Sequence, residues 1–153
     1  MFKPSSREIP IEKQAATLLF IDVQNYNARR DGGEYVGMST TELNERFGYF
    51  FDIIERETIS NMQKIQTACR ASQIEVMYTV IESLTKDGRD RSLDYKITGF
   101  NVPRDSWDAQ VLEAIAPGDD EIVLSKTSSS VFISTNIDYV LRNLGTRYLV
   151  VAG

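Results

Sequence analysis

Asp22, Glu82 and Lys126 are the residues of this chain whose types and placement could do chemistry. Each stands at or just past the end of a short apolar run: Asp22 closes residues 16–22 (ATLLFID), Glu82 follows 74–80 (IEVMYTV) and Lys126 follows 121–124 (EIVL). A fourth run, 147–152 (RYLVVA), leads to Gly153. If these runs are parallel strands, two carboxylates and an ammonium converge on one edge of a sheet, which offers acid–base work with charge stabilisation. The chain has no histidine, so no imidazole can activate a nucleophile, and the commonest zinc ligand is missing. The proton acceptor is then a carboxylate or an amine, and Asp22 and Lys126 are the best placed. A thiol would suit them as nucleophile. A cysteine at the start of a helix after the fourth run would feel the helix dipole and a nearby ammonium, both of which favour the thiolate.

These residues also have plainer readings. Taken alone, an aspartate at a strand end is more often a turn former or helix cap, and a single lysine is most often a solvated surface residue. Gln24 and Asn25, just past Asp22, are placed either for polar contacts with a bound molecule or for a structural turn. Glu82 and the charged loop 85–92, with Arg89 and Arg91 as bidentate donors, could order the polar end of a substrate, or simply face solvent. Cys69, the single thiol, falls on the apolar stripe of a long helical segment and reads as a packing residue rather than a nucleophile.

The elements that must position these groups alternate in type. Residues 41–71 carry Ile54, Met62, Ile65 and Cys69 at helical spacing, which predicts a long helix between the first two strands. A second helix is expected over 106–116, with Trp107, Val111, Ala114 and Ile115 on one side and Pro117-Gly118 ending it. A third is signalled by Thr135 or Asn136 as cap, the stripe Ile137, Val140, Leu141 and Leu144, and Gly145 as a left-handed C-cap. The first and last strands are apolar along nearly their whole length, as expected for strands buried on both faces. The order β-α-β-α-β-α-β predicts an α/β fold: a doubly wound parallel sheet with helices on both faces, a three-layer α/β/α arrangement.

At 153 residues, with 42% hydrophobic and 25% charged content, the chain fits one domain with a sizeable core. No apolar run is long enough to span a membrane, and MFKPSSREIPIEK lacks the apolar centre of a signal peptide, so the expected location is the cytoplasm with no membrane partner. The single cysteine agrees with a reducing compartment. A net charge of −5 without a basic stripe argues against nucleic acid.

The strings TLLFIDVQN, LSKTSSSVF followed by NIDYVLRNLG, and RYLVVAG resemble the isochorismatase-like cysteine hydrolases, in order and spacing across essentially the whole chain. Within that family, SLDYKITGF, PRDSWDAQVLEAIAPGDDEIVLSKTSSSVF and STNIDYVLRNLGTRYLVVAG are most similar to the ureidoacrylate amidohydrolase branch of pyrimidine breakdown. The resemblance implies an Asp-Lys-Cys triad. Asp22 matches the general base, which takes the thiol proton and later activates water. Lys126 matches the lysine that holds the charges of the pair, and the nucleophile lies shortly after the VVAG strand, beside an oxyanion hole of backbone N–H groups. The domain over 1–153 is accordingly expected to be incomplete at its C-terminus, without the later strands and helices of the family.

The implied reaction is cleavage of a C–N bond of a small amide or ureide through a thioester, with no cofactor and no metal. Family resemblance further implies a homo-oligomer, to which the loop 83–106 could contribute. Two other readings remain at this point: a nicotinamidase or isochorismatase type of activity in the same superfamily, and a truncated, non-catalytic homologue acting as a binding module.

Overall fold

In the computed structural model, which describes residues 10–153, the first apolar run becomes β1 (Ala16–Ile21). Five of its six residues are buried, so both of its faces are covered. A short α1 (Asn25–Ala28) leads to α2 (Thr40–Ile53). The start of α2 is fixed by a capping box, in which Ser39 Oγ accepts from the Glu42 N–H and Glu42 Oε2 accepts from the Ser39 N–H. A π-helical turn, Ile54–Thr58, carries α2 directly into α3 (Ile59–Ala71), so the long helix expected over 41–71 is one continuous rod with an internal bulge. Then follow β2 (Glu75–Ile81), α4 (Leu93–Thr98), β3 (Ile122–Lys126), α5 (Val131–Ser134), α6 (Ile137–Asn143) and β4 (Tyr148–Ala152).

The four strands form one parallel sheet in the order β3-β2-β1-β4. The chain steps one way from β1 through β2 to β3 and then returns across the sheet to β4. With right-handed crossovers, the rod and α6 must lie on opposite faces. Side-chain packing agrees. Leu18, Phe20, Val76 and Tyr78 pack with Phe51, Ile54, Met62 and Cys69 on one face, while Leu19 and Met77 pack with Ile137 on the other. This is the doubly wound, three-layer arrangement expected from the sequence. The direction of winding reverses between β1 and β4, which places a topological switch point beside the end of β1.

Two expectations fail. Residues 106–116 do not form a helix: 3-10 turns occupy Trp107–Ala109 and Glu113–Ile115, and the backbone between them runs extended. There the Asn25 N–H donates to Gln110 O at 2.9 Å and the Leu112 N–H to Val23 O at 3.1 Å, so pairing with the continuation of β1 overrides the helical spacing of the side chains. The second failure is β4, whose residues alternate instead of being buried throughout. Leu149 and Val151 are 39% and 55% exposed, because α6 covers the middle of its face and β4 is an edge strand among the described residues.

The third predicted helix is present. Asn136 is its N-cap residue but makes no side-chain cap; Thr135 Oγ1, one residue earlier, accepts from the Ile137 N–H at 3.2 Å, and Gly145 takes the left-handed conformation (φ 71°) that ends α6. No helix among the described residues is long and apolar enough to cross a membrane.

Candidate active site

Strand parity decides which groups can meet at the carboxyl edge of the sheet. From the register, Thr17, Leu19, Ile21, Met77, Thr79, Ile81 and Lys126 share the α6 face, while Val80 and Ser125 share the other. Simple alternation would send residue 22 to the side of Leu18 and Phe20. Asp22 instead adopts φ 56°, a left-handed backbone that aspartate tolerates better than most residues. Its N–H still donates to Thr79 O at 2.9 Å, as a strand residue would. Its carboxylate turns to the α6 face, where Oδ1 accepts from Thr79 Oγ1 at 3.2 Å and Oδ2 lies 2.9 Å from Lys126 Nζ.

The Lys126 side chain is 3% exposed and that of Asp22 20%. The ammonium therefore sits behind the carboxylate. Its remaining contacts are Tyr95 Oη at 3.1 Å and Ser128 O at 3.3 Å, which gives an acceptor for each of its three protons. Burial works against the charge on Lys126, yet the hydrogen bond and charge of Asp22, with help from Tyr95, hold its pKa above the usual lysine value. The partly open carboxylate can exchange a proton with a bound molecule while the hidden ammonium stabilises its negative form.

The other predicted site residues are placed differently. Gln24 is fully buried, and its amide is spent on backbone: Oε1 accepts from the Ile81 N–H at 2.6 Å, while Nε2 donates to Ile81 O and Asp108 O at 3.0 and 2.9 Å. It thereby prolongs the β1–β2 pairing by one side-chain amide, just beyond Asp22. Asn25 donates from Nδ2 to Trp107 O at 2.9 Å and fastens the turn that replaced the predicted helix.

Glu82 lies in register beyond Val80, on the face away from Lys126. It accepts from the Asp105 N–H at 2.9 Å and from Ser125 Oγ, so both of its oxygens hold loop and strand. The structure does not bring it to the pair. Arg91 binds Gly88 O and Phe100 O within its own loop, and Arg89 pairs with the exposed Asp87.

Gly153 packs so closely on Ile21 that a Cβ there would stand 2.5 Å from the Ile21 carbonyl oxygen. With Asp22 it borders a cavity of about 520 Å³ at the switch point, whose walls include Asn27, Tyr49, Phe50, Ile54 and Met62. A second cavity, about 750 Å³, lies on the side of Glu82, Trp107 and Val123.

Cys69 is at the other end of the molecule. Its carbonyl accepts from the Ile74 N–H at 2.9 Å, at the start of β2, whereas Asp22 and Lys126 stand at strand ends. A strand of seven residues separates these levels by on the order of 20 Å. Burial pushes the Cys69 thiol pKa up, away from the thiolate. Among the described residues, no group of three or more carboxylate or thiol side chains converges to hold a metal ion.

Tyr95, Thr79 and Ser128 complete the surroundings of the pair and were not singled out from the sequence. Thr79 could have been found from strand parity, since it neighbours Ile21 in register. Tyr95 gave no such signal, because it reaches Lys126 from a helix in the loop after β2.

Comparison with known proteins bears on the family and the fold. Residues 16–153 match the model of the isochorismatase domain. The chain is 36% identical over 112 residues to an N-carbamoylsarcosine amidase from an Arthrobacter species, a match that takes in 69% of this chain and 42% of that protein. The chain thus spans less than half the length of this curated relative.

Among solved structures, it resembles a cysteine hydrolase from Pseudomonas syringae pv. phaseolicola 1448A, with a TM-score of 0.74 and 27% identity over 100% of this chain and 65% of that one. It shares its fold with an N-carbamoylsarcosine amidase from Thermoplasma acidophilum, with a TM-score of 0.60 and 23% identity over 90% of this chain and 66% of that one. With the domain match extending from the first strand to the last residue, the chain belongs to the isochorismatase family.

Proposed function

We propose that this chain supplies the acid–base half of a cysteine-hydrolase site that cleaves a C–N bond in a small amide or ureide. The observation that carries the reading is the contact of Asp22 with the buried Lys126, 2.9 Å across the carboxyl edge of the sheet. In this reading Asp22 takes the proton of a cysteine thiol, and the thiolate attacks the substrate carbonyl carbon. The departing nitrogen leaves with the proton that Asp22 had taken. Asp22 then deprotonates the water that opens the thioester, and the thiol is regenerated by proton return. Lys126 stays protonated throughout and stabilises the carboxylate form of Asp22. Cys69 is too far from the pair to act, so in this reading it is not the thiol.

The substrate class is an N-carbamoyl group on a carboxylate-bearing amine. The resemblance to the ureidoacrylate branch and the similarity to an N-carbamoylsarcosine amidase both support it, since ureidoacrylate and N-carbamoylsarcosine share that group. Assembly of several copies belongs to the same reading and is supported by the exposed apolar side chains Ile133, Tyr139 and Val151. So does the cytoplasm, whose reducing conditions suit a thiolate.

The test is ammonia release by the full-length protein from ureidoacrylate, N-carbamoylsarcosine and nicotinamide. Turnover of the ureido compounds well above nicotinamide is expected. Turnover of nicotinamide alone would overturn the substrate class, and turnover of none would favour a binding module.

A further inference from the structure

We infer that Tyr95 is a positioning residue for Lys126, its phenol oxygen holding the third proton of the ammonium that faces Asp22. Lys126 Nζ has three acceptors within 3.3 Å: Asp22 Oδ2, Tyr95 Oη and Ser128 O. An ammonium has three protons and no lone pair, so three convergent acceptors match it, whereas a neutral amine would turn a lone pair toward one of them. At 3% exposure no water can replace a missing partner cheaply. Asp22 anchors the charge, and Ser128 offers only a carbonyl oxygen. Tyr95 is thus the one partner that can be deleted without touching either the charge pair or the main chain.

The phenol is held rigidly. Tyr95 is 6% exposed, and its ring stacks on Phe100 with centroids 5.4 Å apart and planes 22° from parallel. The helix α4 that carries it is tied to the segment after β3: the Ser92 N–H donates to Thr127 O at 2.9 Å, and Ser129 Oγ donates to Asp94 Oδ2 at 2.7 Å. The loops after β2 and β3 therefore close around Nζ as one unit, and the order of this contact depends on both.

The catalytic consequence rests on the proposed function, because a fixed ammonium fixes the orientation of the base. The placement itself can be read without turnover, from the proton exchange of the Lys126 ammonium in 15N-lysine-labelled protein at neutral pH, with Lys126→Arg assigning its signal. A slowly exchanging Lys126 signal is expected in the wild type. Tyr95→Phe, which removes only the hydroxyl, should raise its exchange rate about tenfold. Phe100→Leu, which loosens the stacked ring and keeps the hydroxyl, should change it less than about threefold.

The inference is overturned if no such signal exists in the wild type, if Tyr95→Phe leaves the rate unchanged, or if Phe100→Leu matches it. A protein that hydrolyses no amide would still give these readings, so failure of the proposed function and failure of the inference are separate results.

Discussion

Asp22 and Lys126 meet at 2.9 Å across the end of a strand that carries neither of them. β2 lies between β1 and β3, and Thr79 of β2 donates to the same carboxylate. The pair therefore depends on the register of three strands as well as on the left-handed turn at Asp22. A slip of one residue in any of them would send one partner to the wrong face.

The pair should be coupled in stability. Asp22→Asn leaves the Lys126 ammonium buried without its counter-charge and should cost about 3 kcal/mol. Lys126→Met leaves a carboxylate that water still reaches and should cost less. The double variant should recover part of the Asp22→Asn loss, which urea unfolding of all four proteins would show. Strictly additive losses would mean that the two groups do not interact.

The alkaline limb of stability should carry the signature of Lys126. Its pKa is raised in the folded protein above the ordinary 10.5, so the folded state keeps a proton that the unfolded chain gives up. The stabilisation is fully present below about pH 10.5 and is lost as pH rises from there through the folded pKa. Unfolding free energy should thus fall more steeply above that pH in the wild type than in Lys126→Met. Parallel curves for the two proteins would argue against a raised pKa.

Gln24 should matter for folding out of proportion to its chemistry. Replacing it with leucine leaves the Ile81 N–H and C=O, and the Asp108 carbonyl, without their side-chain partners in a buried place. A loss of about 3 kcal/mol is expected in denaturant unfolding. A change below about 0.5 kcal/mol would show that water or backbone replaces the amide at little cost.

The strands were legible in the sequence because apolar runs of four to seven residues ending in turn or charged residues admit few other readings. The pair was legible for a different reason: in a parallel sheet, strand ends share one edge. Strand parity also separates Glu82 from the pair, since it follows Val80 to the face away from Lys126.

Other features lay beyond local pattern. The spacing of Trp107, Val111 and Ile115 is helical, but the main chain of Gln110 and Leu112 is claimed by Asn25 and Val23, a pairing that only tertiary structure creates. The left-handed φ of Asp22, the π-helical turn at Ile54–Thr58 and the return of Tyr95 to Lys126 likewise depend on packing.

Cys69 should be dispensable for turnover. Cys69→Ser in the full-length protein is expected to keep kcat/KM within about threefold while losing about 1 kcal/mol of stability for a hydroxyl placed among apolar side chains. Abolished activity with an intact fold would reassign the nucleophile.

The role of Asp22 as base is tested most directly by ammonia release from ureidoacrylate in full-length wild-type protein and its Asp22→Ala variant, compared at equal folded concentration. The account predicts a loss of at least about a hundredfold in kcat in the variant. Retention of wild-type turnover by folded Asp22→Ala would contradict it.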